Sequence, residues 1–192
     1  MKKISYYALA LTMVCFGCLF VGCGNSGNSD NSDNSDNSKS AKEQYEKLGN
    51  IYRFSVDDRI KCVKIGNRAI EEGDYPTAYK IVDIMFAAGG DMYEAAAELN
   101  EKTLKNEIAA IIEENEDNSA PKILFTIKER GKYNTDNSAD EKDVKEEEKK
   151  MFEYAIGLAT TMGYKQAANL LQNALDQYAN DDENDGDDDE EE

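Results

Sequence analysis

The chain of 192 residues contains no histidine and no tryptophan. Without histidine it lacks the commonest general base and the commonest imidazole metal ligand. Without tryptophan, any stacking platform for sugars would have to be built from tyrosine. Basic side chains are few relative to acids: 22 Lys and Arg stand against 40 Asp and Glu, a formal charge of −18. A body of that charge repels phosphate backbones and anionic headgroups, which excludes nucleic acid as a partner. Also missing are an alternating strand pattern longer than a few residues, a glycine-rich phosphate loop after a strand, a serine nucleophile elbow and any cysteine–histidine cluster. Paired acids such as Glu113 with Glu114, and Glu146 to Glu148, fall on polar helix faces without the apolar setting that raises a carboxyl pKa. The expectation is a protein that is not an enzyme, with no catalytic residue, no metal and no cofactor.

What is present begins with Lys2 and Lys3, followed by an apolar stretch from about Ala8 to Val21, the small residue Gly22 and an abrupt change to polar sequence. That is the three-part layout of a secretory signal. Leu19, Phe20, Val21, Gly22 and Cys23 at its end resemble the lipobox of bacterial lipoprotein precursors, with Phe20 where that family usually has leucine. The resemblance implies that Cys23 takes a diacylglyceryl group as a thioether, that residues 1–22 are cut away as a signal peptide, and that the new amino terminus is acylated, with palmitate among the chains. Several acyl chains suffice for stable anchoring, since each buried methylene contributes about 0.8 kcal/mol. The alternative is an uncleaved anchor, because Ile4 to Gly22 approaches the ~20 residues that cross a bilayer. Positive charge ahead of the segment keeps the N-terminus inside under either reading. The expected localisation is therefore extracytoplasmic and membrane-anchored. Gly24 stands where an aspartate would retain such a lipoprotein at the inner membrane. This favours the outer membrane in a two-membrane cell, and otherwise the outer face of the cytoplasmic membrane.

Of the four cysteines, Cys15 and Cys18 would leave with the signal and Cys23 would be a thioether. Cys62 then remains alone, no internal disulfide can form, and stability must come from packing. In an amphipathic helix Cys62 reads as a small buried hydrophobe. Residues 23–39, mostly Asn, Ser and Asp, cannot bury enough apolar surface to offset ordering and read as a tether. Their r.m.s. reach is about 20 to 24 Å. Residues 180–192 are almost wholly acidic and read as an unstructured tail. Asp181, Glu183, Asp185, Gly186 and Glu192 fall on the first, third, fifth, sixth and twelfth positions of a calcium loop. Asp188 at the eighth position and the lack of a following helix favour a diffuse cation-attracting tail over a folded site.

Residues 40–179 carry helical periodicity almost throughout and are expected to form one all-α domain. Ser40 with Glu43 is a capping box for a short first helix to about Arg53. A second helix runs from about Asp57 to Glu72 with Gly73 as its stop, and Asp74 and Pro76 open a third, which Gly89 and Gly90 end. Asp91 with Glu94 begins a fourth to about Glu114, in which Asn100 is a candidate break point. Ser119 and Pro121 start a fifth, ended by Gly131. After a polar loop around Asn134 to Asn137, Ser138 with Glu141 opens a sixth, and Gly163 separates it from a seventh.

Ile65, Gly66 and Asn67, then Gly73, Asp74 and Tyr75, then Ala78, Val82 and Met85 resemble a tetratricopeptide repeat. A weaker copy runs through Tyr154, Ala155, Leu158, Tyr164, Ala167, Leu171 and Ala174. Ala78 and Ala167 are 89 positions apart, which is no multiple of the ~34-residue period. The expected fold is therefore an irregular short solenoid of antiparallel helical hairpins, with a compact helical bundle as the alternative. In that family the first helix of each hairpin lines a groove for extended peptides or partner helices. Carried onto this chain, the resemblance implies a face made by Ile60, Val63, Lys64, Asn67, Ile70 and Glu71, with Lys64 and Asn67 placed to hold a peptide carboxylate or backbone. The expected function is a membrane-anchored module that binds or scaffolds an envelope protein or peptide. Two rivals are a helical lipoprotein that binds a small solute or calcium, and an accessory subunit of an envelope assembly complex.

Overall fold

The computed structural model describes residues 39–48, 55–90, 92–131 and 141–184, all of the regular elements among them being helical. The helices are α1 (Ala41–Leu48), α2 (Val56–Glu71), α3 (Tyr75–Ala88), α4 (Met92–Asn115), α5 (Ala120–Arg130), α6 (Glu141–Met162) and α7 (Lys165–Asn184), with a 3-10 turn at Glu116–Asn118. The lipobox with Cys23, the tether as far as Ser38, the expected end of the first helix at Arg53, the Asp91 cap, the loop around Asn134 to Asn137, the Ser138 cap and the calcium-loop positions from Asp185 onward lie outside the described residues.

Local chemistry sets the helix starts. Ser40 Oγ accepts from Glu43 N at 3.3 Å while Ser40 N donates to Glu43 Oε2 at 3.2 Å, closing the expected capping box on α1. A second box, not expected, starts α2: Asp58 N donates to Ser55 Oγ and Ser55 N to Asp58 Oδ2. The bond from Ser55 N, and a second from Ser55 Oγ to Asp58 Oδ2 at 2.8 Å, hold the Asp58 carboxyl below its ordinary range. Asp74 caps α3 by accepting from Thr77 N at 3.2 Å, and Pro76 sits in the first turn, where its missing N–H costs nothing.

Two hairpins share one turn. After α2, Asp74 N donates to Ala69 O at 2.8 Å across Gly73, whose φ is +72°; after α6, Tyr164 N donates to Ala159 O at 2.9 Å across Gly163, at +88°. Glycine enters that left-handed region without the Cβ penalty. The turns put equivalent positions 90 apart, Gly73 with Gly163, rather than the 89 that pairs Ala78 with Ala167. In this register Cys62 and Phe152, Ile65 and Ala155, Ala69 and Ala159, Ala78 and Ala168, Ile81 and Leu171, and Met85 and Leu175 are all buried on both sides.

Helices pack on those next to them and next but one in the chain, the order of a hairpin array. The apolar interior is correspondingly double. Ala41, Cys62, Ile65, Ala69, Ile81, Val82, Met85 and Leu99 belong to a first core. Leu104, Ile108, Ile112, Ile123, Ile127, Phe152, Ala159 and Leu171 belong to a second. A compact bundle around a single core is not what forms. The spine is α4, whose 24 residues span about 36 Å and serve both cores.

Tertiary contacts correct one local reading, at Asn100, and the two expected bounds of α5 hold with a local geometry of their own. Asn100 does not break α4, which continues through it; the side chain is buried and Nδ2 donates to Arg130 O at the end of α5 at 2.9 Å. Ser119 precedes α5 but makes no side-chain cap, because its backbone is already helical. Gly131 follows α5 at a right-handed φ of −58°, so it is not a left-handed stop. A Cβ there would lie 2.7 Å from Glu148 Cγ, and the missing side chain admits α6.

At the far end α7 runs to Asn184, past the expected domain boundary at Ala179. No glycine or proline intervenes before Gly186, so nothing in the backbone stops it. Its N-terminus is capped from a distance: Asp117 Oδ1 accepts from Gln166 N at 2.9 Å and Ala167 N at 3.4 Å. Such a cap is worth about 1 kcal/mol. Glu116, beside it, is exposed and at φ +49°, a conformation that costs an ordinary residue of order 1–3 kcal/mol.

Candidate binding face

The face expected on α2 is divided by the way α2 packs. Gly66 lies against α4: a Cβ there would sit 3.1 Å from Leu99 Cδ1 and closer still to Cδ2. The close approach that glycine permits is thus to the next hairpin, not to α3. The next residue, Asn67, accepts through Oδ1 from Lys102 Nζ of α4 at 2.5 Å, which closes the seam between the two helices with polar groups.

Around that seam, Lys64 and Glu71 are exposed and Ile60 is 48 % exposed. Val63 is half-buried and packs against the first core, and Ile70, at 7 % exposure, is part of it. Of the six residues, Ile60, Lys64 and Glu71 therefore share the open side with Asn67 at the seam, while Val63 and Ile70 turn inward. Two residues extend the face. Val56, one turn before Ile60, is 74 % exposed, and the i, i+4 spacing of two apolar residues was a readable signal. Lys102 joins only through the α2–α4 packing, which no local pattern reports.

The face has mixed chemistry. Val56 and Ile60 offer apolar area of which water is the present neighbour, Lys64 and Lys102 offer cationic donors, and Glu71 offers an acceptor. Such a combination suits an extended segment that carries an apolar side chain and a carboxylate or carbonyl.

Elsewhere three buried or bonded titratable groups have structural roles. Cys62 is buried in the first core, and desolvation pushes its thiol up to about 11, which leaves it protonated and unreactive at neutral pH. Glu72 accepts from Arg68 Nε at 2.7 Å and from Ala41 N at 2.9 Å, which holds its carboxyl below the usual range and ties α2 to the start of α1. Tyr79 is buried and donates to Glu107 Oε2 at 2.7 Å; burial first, and the Glu107 charge second, push its phenol far up. Among the described residues no three acidic or thiol side chains converge as a metal ion would require, and no helix is long and apolar enough to cross a membrane.

No family model matches the chain, and neither a curated protein nor a solved structure matches it.

Proposed function

We propose that this chain is a lipid-anchored, extracytoplasmic binding module whose helical domain holds a peptide or protein partner of the cell envelope. Residues 19–23 support the anchorage, since the aliphatic and small residues ahead of Cys23 follow a basic start and an apolar segment. The α2–α4 seam carries the binding reading: its open side bears Val56, Ile60 and Lys64 along α2, and Lys102 of α4 on Asn67. The anchor confines the domain to a surface, and the Asn/Ser/Asp tether sets a search radius of about 20 to 24 Å. Confinement raises the effective concentration of a membrane-bound partner, up to the millimolar range for short flexible links, without any added contact. A modest face on α2 and α4 then suffices.

Photo-activatable side chains placed singly at Ile60 and Lys64 in intact cells test the reading. The expected result is one dominant adduct with an envelope protein, diminished when Lys64→Glu and Lys102→Glu are combined, and not obtained from the same probe at the exposed Lys122 of α5. An adduct pattern identical at Ile60, Lys64 and Lys122 would count against a specific face.

A further inference from the structure

We infer that Arg130 is a latch that joins the two cores into one folding unit, and that the turn of α4 at residues 100–103 is the hinge it holds closed. The two apolar clusters share no residue: the first reaches Leu99 on α4, and the second begins at Leu104. Between them α4 buries Asn100 and Thr103, polar where the rest of its inner stripe is apolar. Thr103 Oγ1 donates to Leu99 O at 2.7 Å, a back-bond within the helix that favours bending. At this level apolar packing from α4 is interrupted, since neither Asn100 nor Thr103 belongs to either cluster.

Polar contacts take its place, and Arg130 engages them at both its ends. Its carbonyl accepts from the buried Asn100 Nδ2 at 2.9 Å, which fixes the end of α5 to the middle of α4. Its guanidinium lies 4.2 Å from the centre of the Tyr79 ring and donates to Asp83 Oδ1 at 2.9 Å, both on α3. Tyr79 in turn donates to Glu107 Oε2, and Tyr75 donates to Asn106 O at 3.2 Å, both acceptors lying in the second half of α4. Gly131, next in sequence, seats Glu148 of α6. One residue at the end of α5 therefore links α3, whose apolar stripe fills the first core, to α4 and α5, which fill the second. A planar cation stacked on an aromatic ring and bonded to a carboxylate is the geometry that arginine provides and lysine does not. Without the guanidinium, the halves keep α4 itself, the Asn100 bond to the backbone carbonyl of residue 130 and the tyrosine bonds to Asn106 and Glu107, and bending at residues 100–103 changes the angle between the first hairpin and the last.

Native-state hydrogen exchange of the full chain in sub-denaturing urea, read peptide by peptide, tests this. In the wild type the best-protected amides of α2 and α3 and those of α6 and α7 are expected to merge onto one denaturant-dependent opening. In Arg130→Ala they separate: one half exchanges about tenfold or more faster than the other, which keeps its protection. Arg130→Lys, which retains the charge without the stack, is expected to fall between. Halves that already open independently in the wild type would overturn the inference. So would an Arg130→Ala chain whose halves still merge, or one that loses protection in both halves together.

Discussion

Ile108→Ala is expected to destabilise the folded domain by about 2–5 kcal/mol, read as a lower urea midpoint. Ile108 is fully buried in the second core, where α4 meets the helices that follow it. Truncation removes three carbons that pack on all sides and leaves a space that the rigid surroundings fill only in part. The loss is a large share of the 5–15 kcal/mol that folded domains of ordinary size retain. Phe125→Ala supplies the contrast: that ring is larger but 67 % exposed, and its loss is expected to move stability by no more than about 0.5 kcal/mol. Equal effects at the two positions would mean that the second core is not where the structure places it.

Gly66→Val is expected to cost about 1–3 kcal/mol through overpacking at the α2–α4 crossing. Helix propensity acts the other way, because glycine is about 1 kcal/mol worse than alanine inside a helix, and valine recovers part of that. The clash wins because the neighbour cannot move aside: Leu99 is buried between the helices and bounds the first core. The cause is checked by shortening the neighbour. Leu99→Ala alone is destabilising, but combined with Gly66→Val it should cost less than the two changes added, by a coupling of about 0.5–3 kcal/mol. Strict additivity would place the strain of Gly66→Val elsewhere.

Much of the fold was legible because its signals are local. Ser40 with Glu43, Asp74 with Thr77, and the glycines at 73 and 163 act on residues three to five positions away, so sequence spacing alone discloses them. The α2 start is read one residue late, at Asp57, because Ser55 with Asp58 uses aspartate in the role the box usually gives to glutamate or glutamine. What the spacing could not disclose depends on helices meeting in space. Asn100 looks like a helix breaker until α5 brings a bare carbonyl to it. Asp117 reads as a loop acid until α7 presents its N–H groups 49 positions away. Gly66 is legible as a close-approach residue, but its partner in α4 is not.

The candidate face was legible by the same measure. Helical periodicity separates Lys64 and Glu71 from the inner stripe, yet it leaves Ile70 ambiguous, since an apolar residue at the edge of a stripe lines a groove or fills a core according to what packs above it. Here the first core takes it. Lys102 had no signal at all in the neighbourhood of α2. The double core was also hidden: Leu99 and Leu104 continue one stripe along α4, and only their partners assign them to different clusters.

The anchor decides whether any of these surfaces acts at a membrane, and it reduces to the chemistry of one sulfur atom. Mass spectrometry of the N-terminal peptide from protein isolated from membranes of its native host is the most direct measurement. The account predicts a peptide that begins at Cys23, carries a thioether-linked diacylglyceryl group and bears a further acyl chain on its amino group. A peptide that begins at Met1, or an unmodified Cys23, would contradict it.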